Sequence, residues 1–167
     1  MTSSPSNEAS TTTSVLITGG AGFLGSFIVD AVLERYPEWA VTVVDLKLPT
    51  ALNPKVAYEV GDVTNVTSIT AVVEKVSPIV IIHSAGLVPE LAGRYGRQQE
   101  GPVFDVNVNG TRNMLAAAKA SAVKAFVWTG SCTAVTDDMR YQYANIDERW
   151  PTSSHSLIYG ESKVGYV

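Results

Sequence analysis

The chain has 167 residues, 46% of them hydrophobic, which is enough for one domain with a real core and little more. Its formal net charge of −4, from 12 basic and 16 acidic residues, excludes the basic footprint of a general nucleic-acid binder. The single Cys132 excludes an internal disulfide and points to a reducing compartment.

Residues 1–13, MTSSPSNEASTTT, hold almost no large apolar group and are predicted to form a disordered tail. They have neither the basic start and apolar centre of a secretory signal nor the arginines of a transit peptide, and no apolar run in the chain is long enough to span a bilayer. The expectation is a soluble, cytoplasmic chain, with attachment to the endoplasmic reticulum left open for a longer form. SVLIT at 14–18 reads as a buried strand. A helix over Gly22–Arg35 follows, with Phe23, Phe27, Ile28, Ala31 and Val32 as its apolar positions and Pro37 beyond its end. Val41–Asp45 and Val56–Val60 read as strands, Val66–Val76 as a helix closed by Pro78, and Ile79–Ile82 as a fourth strand. Residues 89–102 read as a loop, Val103–Ala120 as a long helix and Ala125–Thr129 as a fifth strand. Residues 136–155 read as irregular, and Ser156–Val167 as the start of a helix. Continuous apolar strands alternating with helices predict an α/β fold, a doubly wound parallel sheet in the order 3-2-1-4-5 over residues 14–167.

LITGGAGFLG at 16–25 places four glycines within seven positions, between the first strand and the first helix. This G-x-G-x-x-G context is a dinucleotide fingerprint. Gly19 and Gly22 belong to the tight turn that brings backbone N–H groups to a pyrophosphate, with Phe23 and Leu24 opening the helix. Gly25 allows close packing of helix on strand. The bland alternative is a turn that only packs a helix. Asp45 ends the second strand and suits the ribose hydroxyls of NAD; its charge disfavours NADP, a preference moderated by Lys47. Asp62, with Val63 beside it, is placed either near the adenine or as a cap of the next helix. His83-Ser84-Ala85-Gly86 ends the fourth strand at the same edge, where the small residues Ser84, Ala85 and Gly86 leave room for a cofactor. His83 reads as a packed, hydrogen-bonded residue rather than an acid/base.

Tyr159 and Lys163, at i and i+4, share one face of a helix. An ammonium beside a phenol stabilises the phenolate, which makes a tyrosine usable as an acid/base for hydroxyl–carbonyl interconversion. Ser131, after the fifth strand, is placed to donate to a substrate oxygen. Cys132 reads as a small buried apolar residue. The pairs Asp137-Asp138 and Asp147-Glu148 read as a solvated loop.

TGGAGFLG (18–25), VVDL (43–46), GDVTN (61–65), HSAG (83–86), NVNGTRNML (107–115), FVWTGSC (126–132), NIDERWP (145–151) and YGESK (159–163) resemble the extended short-chain dehydrogenase/reductases. Within them the chain is most similar to the 3β-hydroxysteroid dehydrogenase/isomerase family, including its fungal sterol-4α-carboxylate 3-dehydrogenase members. The resemblance spans residues 15–167. It implies NAD(P)-dependent oxidation of the 3β-hydroxyl of a sterol or steroid to a ketone. It makes Tyr159 the catalytic acid/base, with Lys163 supporting it and holding the nicotinamide ribose, and Ser131 orienting the substrate oxygen. Asn107 matches a helix asparagine that organises the active site; the alternative is a helix cap at Asn107 or Asn109. The family often has Ser or Thr where Gly130 stands.

Family members also continue well past the Tyr/Lys helix into a C-terminal substrate domain. The chain is therefore expected to be the N-terminal part of such a protein, with an exposed fifth strand. A homodimer remains open, and so do two other functions: a sugar-nucleotide epimerase or dihydroflavonol-type reductase, and a non-catalytic dinucleotide-binding module.

Overall fold

Five short runs rich in β-branched and aliphatic residues pair side by side: β1 (Ser14–Thr18), β2 (Ala40–Asp45), β3 (Val56–Val60), β4 (Val80–His83) and β5 (Ala125–Trp128). They form one parallel sheet in the predicted order β3-β2-β1-β4-β5. The helices are α1 (Phe23–Arg35), α2 (Val66–Val76), α3 (Glu100–Phe104), α4 (Gly110–Ala120), α5 (Thr133–Thr136) and α6 (Ile158–Lys163). The computed structural model describes residues 12–90, 97–136, 147, 149 and 157–164. The expected tail over 1–13 lies, apart from residues 12 and 13, outside the described residues. So does most of the irregular stretch over 136–155, with Asp137, Asp138 and Glu148.

Alternation along each strand builds two cores. Val15, Ile17, Val41 and Val43 face Val29 and Val32 of α1. Leu16, Val44 and Ile81 face the other way, onto Ile69 and Val73 of α2 and Met114 of α4. Burial on both faces is what lets these strands be apolar throughout. The strand order reverses between β1 and β4, so their carboxyl ends diverge and leave a crevice there. Among the described residues β5 is an edge strand, with Val127 half exposed.

Three expectations change. The first concerns α1, which turns Gly25, Val29 and Val32 to the sheet. Phe23 and Phe27, predicted as apolar-face positions, stand 84% and 61% exposed and meet each other edge to face at 5.3 Å. The i, i+4, i+7 stripe that fits closest to the strands is the one carrying a glycine.

The second change is at the long helix. It begins at Glu100, within the predicted loop, because Pro102 in a first turn loses no intrahelical bond. A π-helical segment, Asp105–Asn109, then interrupts it before α4. Asn107 is therefore inside a helical run, and neither it nor Asn109 caps one.

The third is Cys132, which is exposed rather than buried. It lies past the end of β5, at the turn leading into α5, where no sheet face covers it. The remaining carboxylate of the acidic pairs, Asp147, is paired with Arg149, which holds it below the usual carboxylate range.

Candidate active site

The glycine turn is built by close approaches. Gly19 has φ +68°, and a Cβ there would stand 2.7 Å from the Ala85 backbone. A Cβ at Gly25 would lie 2.0 Å from the Gly19 carbonyl oxygen. These two positions admit glycine alone. Gly22 is different: it is exposed, and an added Cβ would meet only the Gly19 oxygen at 3.2 Å. Gly22 also supplies no side-chain cap to α1, whose first turn holds no acid. The first N–H groups of α1 thus open onto the crevice without a side-chain acceptor, which is the electrostatic form of an anion site.

The crevice holds a cavity of about 450 Å³. Gly19, Gly22, Phe23, Leu24 and Gly25 line one wall, with Asp45, Asp62, Val63 and Ala85 around the rest. Tyr159 and Lys163 line its far end. The residues singled out for cofactor binding therefore meet in one groove. Sequence reasoning did not assign Leu46, Leu87, Val106 and Thr129 to it, although all four border it. Thr129 carried a weak signal, because it immediately follows the fifth strand.

Asp45 is half buried at the end of β2. Its Oδ2 accepts from the Ala21 N–H at 3.1 Å and its Oδ1 from the Leu46 N–H at 2.8 Å. One carboxylate thus clips the glycine turn to β2 and keeps lone pairs for further donors. Asp62 is not a helix cap. Its Oδ1 accepts from the Thr64 N–H at 2.9 Å and the Thr64 hydroxyl at 2.8 Å, while Asn65 caps α2 through Ser68 N–H.

At the far end, Lys163 is 5% exposed and donates from Nζ to the Thr129 carbonyl at 3.2 Å. Its ammonium stands 5.5 Å from the Trp128 ring centre and 5.8 Å from that of Tyr159. Burial pushes its pKa below the usual lysine value. An added Cβ at Gly86 would come 3.4 Å from Lys163 Nζ, so the glycine keeps the groove floor low here.

Asn107 and Ser131 do not line the groove. Asn107 is 2% exposed and lies behind the wall. Its Oδ1 accepts from the Leu87 N–H at 2.7 Å, and its Nδ2 donates to the Leu87 carbonyl at 3.0 Å and to Ser162 Oγ at 2.9 Å. Ser162 Oγ in turn donates to the Tyr159 carbonyl at 2.7 Å. Asn107 thereby ties the groove wall to the helix that carries Tyr159 and Lys163. Ser162 gave no signal beyond lying within YGESK. Ser131 follows the groove residue Gly130, and its Oγ accepts from the Thr133 hydroxyl at 2.8 Å and the Thr133 N–H at 3.3 Å. A second tie is on the surface, where Arg97 bridges Glu100 and Glu161.

No group of His, Cys, Asp and Glu suited to a metal ion occurs among the described residues. No helix among them is long and apolar enough to cross a membrane.

Comparison with known proteins bears on family and fold. The model of the 3-beta hydroxysteroid dehydrogenase/isomerase family matches residues 16–165. The chain is 33% identical over 160 residues to the decarboxylating sterol-4-alpha-carboxylate 3-dehydrogenase of Candida albicans, covering 90% of this chain and 43% of that protein. It is 33% identical over 153 residues to a 3-beta-hydroxysteroid dehydrogenase of Mycolicibacterium neoaurum, covering 90% of this chain and 40% of that one. It thus spans about two fifths of the length of these relatives. Among solved structures it is similar to a UDP-galactose 4-epimerase, with a TM-score of 0.74 at 28% identity, over 90% of this chain and 48% of the other. It is also similar to the Thermus thermophilus UDP-glucose 4-epimerase in complex with NAD, with a TM-score of 0.73 at 27% identity, over 90% of this chain and 47% of the other.

Proposed function

Since the chain belongs to the 3-beta hydroxysteroid dehydrogenase/isomerase family, we propose that it forms the cofactor-binding and catalytic part of an NAD-dependent oxidoreductase. The reaction is oxidation of the 3β-hydroxyl of a sterol or steroid to a ketone. One observation carries the reading: Tyr159 and Lys163 stand at one end of the groove whose other wall is the glycine turn and Asp45.

The residues fit NAD by their own chemistry. The uncapped start of α1 suits the pyrophosphate, Asp45 suits the adenosine ribose hydroxyls, and Asp62 and Val63 border the adenine end. NAD, when bound, supplies the hydride acceptor. The Tyr159 hydroxyl, as phenolate, takes the proton of the substrate hydroxyl, and the Lys163 ammonium offsets the negative charge on that oxygen. Lys163 would also hold the nicotinamide ribose. Among the described residues both contacts of Ser131 Oγ use its lone pairs, and its hydroxyl would orient the substrate oxygen. Asn107 touches no reacting atom and acts as a positioning residue.

Calorimetric titration with NAD and NADP tests the cofactor half of this reading. Saturable binding that favours NAD is expected; absence of binding to either refutes it. For the chemistry, Tyr159→Phe should keep NAD binding and lose turnover of 3β-hydroxysterol. A second reading, a sugar-nucleotide epimerase on the same scaffold, is favoured by the epimerase neighbours. Turnover of a nucleotide sugar in place of the sterol would decide for it. Binding of NAD without turnover of either would mark a non-catalytic dinucleotide module.

A further inference from the structure

His83 is fully buried at the end of β4, and no step of the proposed reaction uses it. Each ring nitrogen meets one hydroxyl. Thr18 Oγ1 lies 2.7 Å from Nδ1, and Thr111 Oγ1 lies 3.0 Å from Nε2. The direction of these bonds follows from counting protons. The Thr111 hydroxyl has one proton and gives it to the Asn107 carbonyl at 2.7 Å, an acceptor with no proton to return. Thr111 Oγ1 therefore accepts from His83, and a ring proton sits on Nε2. Burial, aided by the Lys163 charge, lowers the His83 pKa to about 4, so the ring holds that one proton at neutral pH. Nδ1 is then a bare lone pair and accepts from the Thr18 hydroxyl. The Thr18 oxygen also takes the Ala85 N–H at 3.2 Å. This arrangement sends the Thr111 proton along the shorter of its two contacts and gives each proton one acceptor.

We propose that His83, held as its Nε2–H tautomer, is a positioning residue. It joins the two backbone stretches that border the groove, residues 84–87 and the π-helical segment, into one hydrogen-bonded unit. On one side the unit fixes Ala85. On the other it fixes the Asn107 backbone, whose side chain holds Leu87 and Ser162. The ring sets the spacing between the strand ends and the helix, and its tautomer sets which partner donates. The assignment rests on the cofactor reading only where NADH binding is the readout.

Nitrogen NMR of the cofactor-free chain reads the tautomer directly. The sequence has two histidines, and a His155→Gln background leaves His83 alone. Nε2 is expected in the protonated range and Nδ1 in the unprotonated range, unchanged from neutral pH down to about 5. A threonine pair reads the mechanical role. Thr18→Val keeps the shape but removes the donor to Nδ1 and the acceptor of the Ala85 N–H. It should speed Ala85 amide exchange and weaken NADH binding, each about tenfold, the scale of one buried hydrogen bond. Thr18→Ser should restore both. An Nδ1–H tautomer, or an even mixture, in the parent chain overturns the proposal. So does a Thr18→Val chain whose Ala85 amide exchanges as slowly as the parent's. The parent tautomer needs no change at Thr18, so the test survives a valine variant that does not fold. If tautomer and Ala85 protection are as expected but the parent binds no NADH, the cofactor reading fails and the positioning role stands.

Discussion

Replacing Gly19 and Gly22 separately by alanine should split stability from binding. At Gly19 two costs add. The backbone sits at φ +68°, a left-handed conformation that costs a residue with a Cβ about 1–2 kcal/mol. The new methyl would also stand 2.7 Å from both Cα and N of Ala85, backbone that cannot swing aside as a side chain does. Overpacking of that kind costs about 1–3 kcal/mol. The sum is about 2–5 kcal/mol, a large share of the roughly 5–15 kcal/mol that holds a domain together. Gly22 has φ −79° and ψ 176°, open to any residue, and its new methyl would meet only one carbonyl oxygen at 3.2 Å. Gly22→Ala should therefore lose less than about 1 kcal/mol. It lines the groove, however, so it should weaken NADH binding at least about tenfold, a loss of some 1.4 kcal/mol. Urea unfolding followed by circular dichroism gives the first quantity, and NADH fluorescence titration the second. If the two variants unfold within about 0.5 kcal/mol of each other, the steric argument is wrong.

Acid should weaken the fold through His83. Its pKa falls from the ordinary 6.5 to about 4 in the folded chain, so the unfolded chain takes up the proton first as pH drops. Stability is intact above about pH 6.5, declines through the interval and levels off below about pH 4, a total of about 3 kcal/mol. Urea midpoints across that range, set against a His83→Gln reference, measure it; parallel curves would contradict it. Asp45→Asn should narrow the preference for NAD over NADP, read from paired calorimetric titrations, and an unchanged ratio would remove Asp45 from the discrimination. Cys132 is exposed and should react fully with a thiol reagent in the native chain; reaction only after denaturation would show it buried.

How much of this was legible depends on how local the cause is. β1, β3 and α2 have the predicted limits, because an apolar run bounded by glycine, proline or a capping asparagine carries its own start and stop. The glycine turn was legible for the same reason: a motif between a strand and a helix is a local statement. Phe23 and Phe27 misled because the helical period marks which residues share a face but not which face meets the sheet. Cys132 misled because its exposure depends on what lies beyond β5. Asn107 was the hardest. Its place is set by Leu87, 20 residues away in sequence, and by Ser162, 55 away. His83 likewise acts through Thr18, 65 residues away, and Thr111, 28 away.

The π-helical segment changes the phase of the helix it interrupts. Each residue of an α-helix advances about 100° around the axis, and a π turn absorbs one extra residue. Everything before Asp105 is therefore rotated relative to everything after Asn109 by about that angle compared with an unbroken rod. Val103 and Met114 are both fully buried, and Asn107, between them in sequence, faces Leu87 and Ser162. A deletion of one residue between 105 and 109 would restore a regular helix and improve its local hydrogen bonding. The same deletion would leave the two halves in their present phase, because it removes the residue the turn absorbs, so what it would displace is the segment itself and with it the Asn107 tie to the Tyr159 helix. In this chain the less regular turn is the one that carries the tie between the groove wall and the Tyr159 helix.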